Sequence, residues 1–390
     1  MSANRMIPYG RQWVDELDIQ AVVAVLESDW LTTGPRVQEF EQVVAHCVQA
    51  SEAVAVSSGT AALHAAMYAI GIGPGDEVIL PPITFVATAN AVVMQGGTPV
   101  FADVDSETLL LDPEAVKAKV TSKTKAILAV DYAGQPCDYE ALRVIADRNG
   151  LALVADACHA LGASERERRV GSLADLTVFS FHPIKAITTG EGGMVVTDSP
   201  EWAGRMRRFR NHGISTDHHQ RLAHETWEYQ MVSFGMNYRL TDIQCALGVS
   251  QLSKLPGWIA MRQSIAMQYD QAFSDMPGIN PLRRREGVDH AYHLYIVLLD
   301  QHQTGMTRSH LFRALRESGI GVHVHYIPVH LHTFYRERFG TGPGLCPVAE
   351  AAYERMLSLP IYPRLHDDEF EKVITTFRAV VESSSCPIGA

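Results

Sequence analysis

Cysteine is scarce in this chain and follows no pattern. The six cysteines among 390 residues (Cys47, Cys137, Cys158, Cys245, Cys346 and Cys386) never stand in a CxxC spacing. Neither a disulfide framework nor a zinc knuckle is indicated, and a reducing cytoplasm is the expected setting. Long apolar runs are missing as well. Each falls short of the roughly 20 residues that a membrane helix needs, and the opening Met-Ser-Ala-Asn-Arg-Met has no apolar signal core, which predicts a soluble, unexported protein. Positive charge is in deficit. A formal net charge of −11 argues against a general binder of nucleic acid or membrane surfaces, so any phosphate site has to be built locally. Internal repeats and low-complexity linkers are also lacking.

What remains is an ordinary globular composition, 46% hydrophobic and 20% charged, enough to bury a large core in about two domains. Short apolar runs at 53–56, 77–81, 99–103, 126–131, 152–156, 176–181 and 193–197 alternate with longer helical patterns. That alternation predicts an α/β layer with a mostly parallel sheet. An amphipathic helix over 15–28 precedes it. A helix over 239–255 follows, breaks at Pro256-Gly257 and resumes over 258–274. The domain change is expected along this second helix, giving a large unit 1–257 and a smaller α+β unit 258–390. Strand-like 293–299 and 322–326 and helical 308–318 and 367–382 fall in the smaller unit.

Three segments carry chemistry. Ser180-Phe181-His182-Pro183-Ile184-Lys185, followed by Thr188-Thr189-Gly190-Glu191-Gly192-Gly193, sets one lysine between a hydroxyl-bearing strand end and a glycine-rich turn. The turn leads back into a strand and holds Lys185 near the sheet edge, whereas most lysines are solvated. The run 152–156 reads as a buried parallel strand ending in the carboxylate of Asp156. Open α/β sheets bind ligands at such ends, although an acid there could equally cap the next helix. Ser57-Ser58-Gly59-Thr60 follows a strand and opens an alanine-rich helix. Its free N–H groups and positive dipole end suit a phosphate, with a plain N-cap as the alternative. An amine that can link to an aldehyde and an acid that can hold a pyridine nitrogen protonated are what pyridoxal phosphate (PLP) needs to act as an electron sink.

Other residues group around these. Ser180 can offer its hydroxyl to the same phosphate. Phe85 can stack on a pyridine ring or be a core aromatic. His159 can stack near the ring, bond its phenolic oxygen, or simply be packed, and Cys158 reads as packing. His323, His325, His330 and His332 resemble a metal cluster at first, but no carboxylate pair accompanies them, so no metal site is assigned and substrate hydrogen bonding beside Tyr326 fits as well. The arginine-rich run 205–210 reads as a solvated helix face whose end Asn211-His212-Gly213 caps.

Taken together, these residues resemble the DegT-type sugar-nucleotide aminotransferases, a branch of the fold-type I PLP enzymes, over nearly the whole chain. The segments that carry the resemblance are Ser57-Ser58-Gly59-Thr60-Ala61-Ala62-Leu63, Pro74-Gly75-Asp76-Glu77-Val78-Ile79, Thr84-Phe85-Val86-Ala87-Thr88-Ala89-Asn90, Asp156-Ala157-Cys158-His159-Ala160, Ser180-Phe181-His182-Pro183-Ile184-Lys185 and Gly235-Met236-Asn237-Tyr238-Arg239-Leu240-Thr241-Asp242. The resemblance implies an α/β fold-type I transferase with a mostly parallel central sheet flanked by helices and a smaller C-terminal α+β domain. It further implies Lys185 as the lysine linked to PLP, Asp156 as partner of the pyridine nitrogen, Phe85 on the ring, and Ser180 with Gly59 and Thr60 around the phosphate. Asn237 would reach the phosphate of a partner subunit, which implies a homodimer with shared active sites. His159 stands where many relatives have Gln. That departure, with Val324-His325-Tyr326-Ile327-Pro328-Val329-His330, looks most like the UDP-4-keto-hexosamine aminotransferase branch of pseudaminic acid synthesis. The implied reaction moves an amino group from an amino acid, glutamate, to C4 of a UDP-linked 4-keto-6-deoxy sugar. The sugar contacts would be Tyr9, Trp30, Leu31, Thr32, Thr33, Ser58, Lys185, Arg239 and Tyr326. Rival readings are an aminotransferase for another UDP- or dTDP-linked keto sugar, a dehydratase (whose relatives replace the lysine), a PLP-binding regulator without turnover, and a histidine-based metal protein.

Overall fold

The computed structural model describes residues 6–216, 221 and 225–385. Residues 1–5, part of the opening searched for a signal core, and Cys386 lie outside them. The first nine strands are β1 (Glu52–Val56), β2 (Glu77–Leu80), β3 (Thr98–Phe101), β4 (Thr124–Val130), β5 (Ala152–Asp156), β6 (Ser164–Glu165), β7 (Arg168–Arg169), β8 (Leu176–Ser180) and β9 (Gly193–Thr197). Seven of them form one sheet in the order β1-β9-β8-β5-β4-β2-β3. The β2–β3, β2–β4, β4–β5 and β5–β8 ladders are parallel, while β9 runs antiparallel to both β1 and β8. Val54, Ile79, Leu128, Val154 and Val178 are fully buried. Strands covered on both faces have no solvent side and so read as continuous apolar runs. The Gly59–Ala69 helix packs on β8 and β9, and the Tyr139–Asn149 helix on β4 and β5.

Four further strands are β10 (Ile279–Pro281), β11 (Val288–Asp289), β12 (Tyr295–Leu299) and β13 (Met356–Leu359). A second sheet, β10-β12-β13, is antiparallel, and a third, β11-β6-β7, pairs a C-terminal strand with a hairpin of the first region. The second sheet has its own core, with Tyr269, Phe273, Tyr295, Leu311, Phe370 and Phe377. Ile7 joins that core, its carbonyl accepting from Gly321 N at 2.6 Å. The Leu255–Phe273 helix serves both cores, Leu255, Trp258 and Ile259 facing the first and Ile265, Ala266, Tyr269 and Phe273 the second. No described helix is long and apolar enough to cross a membrane.

The structure corrects three expectations. The helix break lies at Ser253–Lys254, and Pro256 sits in the first turn of the following helix, where the N–H it lacks would have no partner anyway. No strand forms over 322–326. Only His323 pairs, bridging Ser358, and β12 is flanked by β10 and by β13, a four-residue strand that follows directly on the Pro347–Arg355 helix. The 205–210 run is not a solvated face: Arg210 forms an ion pair with Glu41 and donates to the Ala55 carbonyl at 2.7 Å, and Arg207 pairs with Glu52 at 2.7 Å. These bonds fasten the Pro200–Phe209 helix to β1.

Candidate active site

The C-terminal ends of the parallel strands supply the site, as open α/β sheets generally do. One cavity of about 480 Å³ gathers Tyr9, Ser58, Gly59, Thr60, Phe85, Asp156, His159, Ser180, Lys185 and Tyr326. Residues more than 300 positions apart thus meet at one place.

Asp156 ends β5 and is 5% exposed. Its Oδ2 accepts from Thr88 Oγ1 at 2.7 Å and its Oδ1 from Cys158 N at 3.3 Å. Thr88 lies 2.6 Å from Thr84 Oγ1, so a hydroxyl pair braces the carboxylate. Both threonines line the cavity and went unread in the sequence, because Thr84 precedes the Ala87–Met94 helix that carries Thr88 and no helical spacing links them. Lys185 is half-buried on the far side of the β8 turn. Burial lowers its pKa from the usual lysine value, against the pull of the neighbouring Asp156 carboxylate. The neutral, nucleophilic amine is correspondingly easier to reach.

The phosphate end is shaped by close approach. Ser58 caps the Gly59–Ala69 helix, accepting from Ala61 N at 3.1 Å. A Cβ at Gly59 would come within 2.9 Å of Ser180 Cβ and 3.1 Å of its Oγ, so only glycine lets the helix start meet the end of β8. Phe85 is no core aromatic. It is 57% exposed, with its ring 6.1 Å from that of Tyr326.

The opposite wall comes from the C-terminal part. His159 Nε2 lies 3.1 Å from Tyr326 Oη, and burial, with Lys185 nearby, holds His159 well below the usual imidazole range, hence neutral. His325 Nδ1 lies 2.8 Å from Ser358 Oγ, and burial pushes its pKa down to about 3. Tyr132 donates its hydroxyl to the His325 carbonyl. Tyr9 packs its ring 5.4 Å from His323 and 5.1 Å from His325. Among the described residues no group of three or more His, Cys, Asp or Glu side chains could hold a metal ion. His330 instead contacts Glu350 at 2.8 Å, away from the cavity.

Six expected residues stand outside this cavity: Trp30, Leu31, Thr32, Thr33, Asn237 and Arg239. Thr32 bridges Thr241, and Arg239 donates to Asn211 Oδ1 at 2.7 Å. Asn237 is exposed and does not cap the Asp242–Leu252 helix, whose N-cap is Thr241 in a capping box with Gln244.

The donor set fits PLP. It offers a lysine amine of lowered pKa, a braced carboxylate, an open aromatic face, and a helix start pinched so tightly that a Cβ would fill it.

Comparison with known proteins agrees with this chemistry. The DegT/DnrJ/EryC1/StrS aminotransferase family matches residues 12–378. The spore coat polysaccharide biosynthesis protein SpsC of Bacillus subtilis is 43% identical over 384 residues, 98% of this chain and 98% of that protein. Helicobacter pylori PseC, an aminotransferase involved in the biosynthesis of pseudoaminic acid, aligns with a TM-score of 0.90 at 34% identity, over 97% of this chain and 100% of that one. The PLP form of Spr1654 from Streptococcus pneumoniae aligns with a TM-score of 0.90 at 32% identity, over 97% and 99%.

Proposed function

The chain belongs to the DegT/DnrJ/EryC1/StrS aminotransferase family and is a PLP-dependent sugar aminotransferase; on that premise we propose that it moves an amino group from L-glutamate to C4 of a UDP-linked 4-keto-6-deoxy-N-acetylhexosamine, a step of pseudaminic acid-type sugar synthesis in the cytoplasm. The observation that carries the reading is the single cavity in which Lys185 and Asp156 meet His159 and Tyr326. Similarity to PseC supports the substrate.

Bound PLP supplies an electron sink for the pair of electrons left when a proton leaves the substrate carbon. Lys185 would hold the cofactor through its Nζ and, with that amine free and neutral, would serve as the general base that takes up and returns the proton. Its lowered pKa suits a base that must be neutral to act. Asp156 would hold the proton on the pyridine nitrogen, with Thr88 keeping the carboxylate in place. Gly59, Thr60 and Ser180 would bind the phosphate, Phe85 and His159 would hold the ring between them, and Ser58 would face the sugar. Tyr9 and Tyr326 would orient the sugar.

We extend the reading to a homodimer with shared sites. Trp227 (84% exposed), Tyr229, Met231, Val232 and Phe234 form a run of exposed large apolar side chains just before exposed Asn237. Such a run on a monomer supports a protein partner. Trp30, Leu31, Thr32, Thr33, Asn237 and Arg239 would then serve the partner's cavity. The 43% identity to SpsC favours, as a second reading, a different UDP- or dTDP-linked 4-keto sugar destined for a polysaccharide.

The test is turnover of the purified protein with L-glutamate and a panel of UDP- and dTDP-linked 4-keto sugars, followed by release of 2-oxoglutarate. Highest kcat/KM on the UDP-linked N-acetylhexosamine is expected. Preference for another sugar selects the second reading, and turnover of none overturns both.

A further inference from the structure

Two exposed segments that line no part of the cavity in their own subunit are fastened together by one buried carboxylate. Asp242 opens the Asp242–Leu252 helix and is fully buried. Its Oδ2 accepts from Gly34 N at 2.8 Å and its Oδ1 from Arg36 N at 2.9 Å, while its own N–H donates to the Leu31 carbonyl at 3.1 Å. Gly34 is the N-cap of the Pro35–Cys47 helix and offers no side chain to cap it. A carboxylate 208 positions away from Gly34 takes that part, setting negative charge against the free N–H groups of a helix start.

The fit is close. A Cβ at Gly34 would come within 2.7 Å of Asp242 Oδ1 and 2.6 Å of Trp30 Cβ, so the loop can lie on the carboxylate only with glycine there. Thr33 beside it is held at φ +55°, left-handed backbone that a β-branched residue adopts only where its surroundings impose it. Thr32 bridges Thr241, next in sequence to Asp242. On the other flank Asn237 bridges Asn211, Tyr238 N donates to Arg210 O at 3.0 Å, and Tyr238 O accepts from Ser57 N at 2.9 Å. The 30–34 loop and the 237–242 segment thus form one bonded arm, on which Leu31 (48% exposed), Thr32 and Asn237 are exposed.

Hydrogen bonds to an ionised carboxylate are the stronger kind, and a buried one that gives both oxygens to a single loop fixes where that loop lies. The loop and the 237–239 segment stand outside the cavity of their own subunit, so what is fixed has its use elsewhere. We propose that Asp242 is a positioning residue for the partner's active site, holding the Trp30–Thr33 loop and the Asn237–Arg239 segment at one spacing so that sugar contact and phosphate contact enter the partner's cavity together. The proposal rests on the reading of the protein as a homodimer with shared sites.

The test uses holoenzyme carrying Asp242→Asn, which keeps the shape but turns one acceptor into an N–H donor facing another N–H. KM for the keto sugar should rise about 10-fold, and so should Kd for PLP read from the label that borohydride fixes on Lys185, the weight of one charge-assisted bond. KM for L-glutamate should stay unchanged. Mixing with Lys185→Ala subunits then gives a heterodimer with one site that has both Lys185 and the partner's arm intact, and parental KM and Kd should return there. A thermal midpoint checks folding, and if Asp242→Asn does not fold, Asp242→Ser carries the same comparison. Parental KM and Kd in the unmixed, folded variant overturn the proposal, as do raised values that persist in heterodimers. The Lys185→Ala and Asn237→Ala mixture is run alongside: recovery there without recovery in the Asp242 mixture overturns this proposal alone, and recovery in neither overturns shared sites with it. A parent that turns over no keto sugar overturns the proposed function, and Kd for PLP in the two mixtures still decides the role of Asp242.

Discussion

Lys185 and Asp156 reach the cavity from two strand ends and are braced differently, which makes their roles separable. Borohydride reduction of the holoenzyme should fix the cofactor to the peptide containing Lys185, and Lys185→Ala should lose both the label and transamination. A label recovered on another lysine by peptide mapping would contradict the assignment. Asp156→Asn should keep PLP bound yet lower kcat about 10²-fold or more, equivalent to ~2.7 kcal/mol in the barrier, since an uncharged group cannot hold the ring nitrogen's proton. Near-parental turnover would reduce Asp156 to its bond with Cys158 N. Beside them, Asp131 titrates out of the ordinary range. Its Oδ1 accepts from Cys137 N at 2.9 Å and Tyr139 Oη at 2.7 Å, while its buried Oδ2 has no partner. Burial pushes its pKa up to about 7 despite those bonds. A carboxyl whose pKa is raised on folding holds its proton more tightly in the folded state. The stability it contributes is therefore present below the unfolded value of about 4 and is lost as pH rises through about 7. Denaturant midpoints measured from pH 5 to 8 should fall in the parent and stay flatter in Asp131→Asn, which retains the Oδ1 acceptor.

At the scale of the element, the site depends on how closely the Gly59–Ala69 helix approaches the end of β8. Gly59→Ala would push a Cβ to 2.9 Å from Ser180 Cβ. Ser180 Cβ is bonded to the end of β8 and cannot rotate away, so the helix start has to shift, and the expected loss is in cofactor affinity, about 10-fold in Kd (~1.4 kcal/mol), together with a lower melting temperature. Equilibrium binding of PLP alongside calorimetry separates the two, and unchanged affinity would remove the close approach from the account of the phosphate end. Strand existence was readable from short apolar runs, but boundaries and breaks followed context. Pro256 signals the start of a helix, and the 322–326 segment contributes His323, His325 and Tyr326 to the cavity as irregular chain held by Ser358.

At the scale of the whole molecule, the cavity holds one set of expected residues and leaves out another, of which Asn237 and Arg239 follow within a few residues of the exposed run ending at Phe234. If that second set serves a partner, Lys185→Ala and Asn237→Ala subunits, each impaired alone, should regain activity when mixed, because one of the two sites in a heterodimer then has both residues intact. Heterodimers that form and stay as inactive as their parents would reject shared sites. Sedimentation of the unmixed protein should report a dimer.

What the sequence determined by itself was local chemistry: a lysine before a glycine-rich turn, an acid ending a strand, a serine-glycine start to a helix. Each is set by spacing along a few residues, so period and composition suffice to read it. The tertiary structure decided what those groups meet. Thr88 braces Asp156 from 68 positions away, Tyr326 contacts His159 from 167, and Phe85 faces the cavity instead of the core. No local pattern carries such pairings, because burial and contact depend on how distant segments close around the sheet.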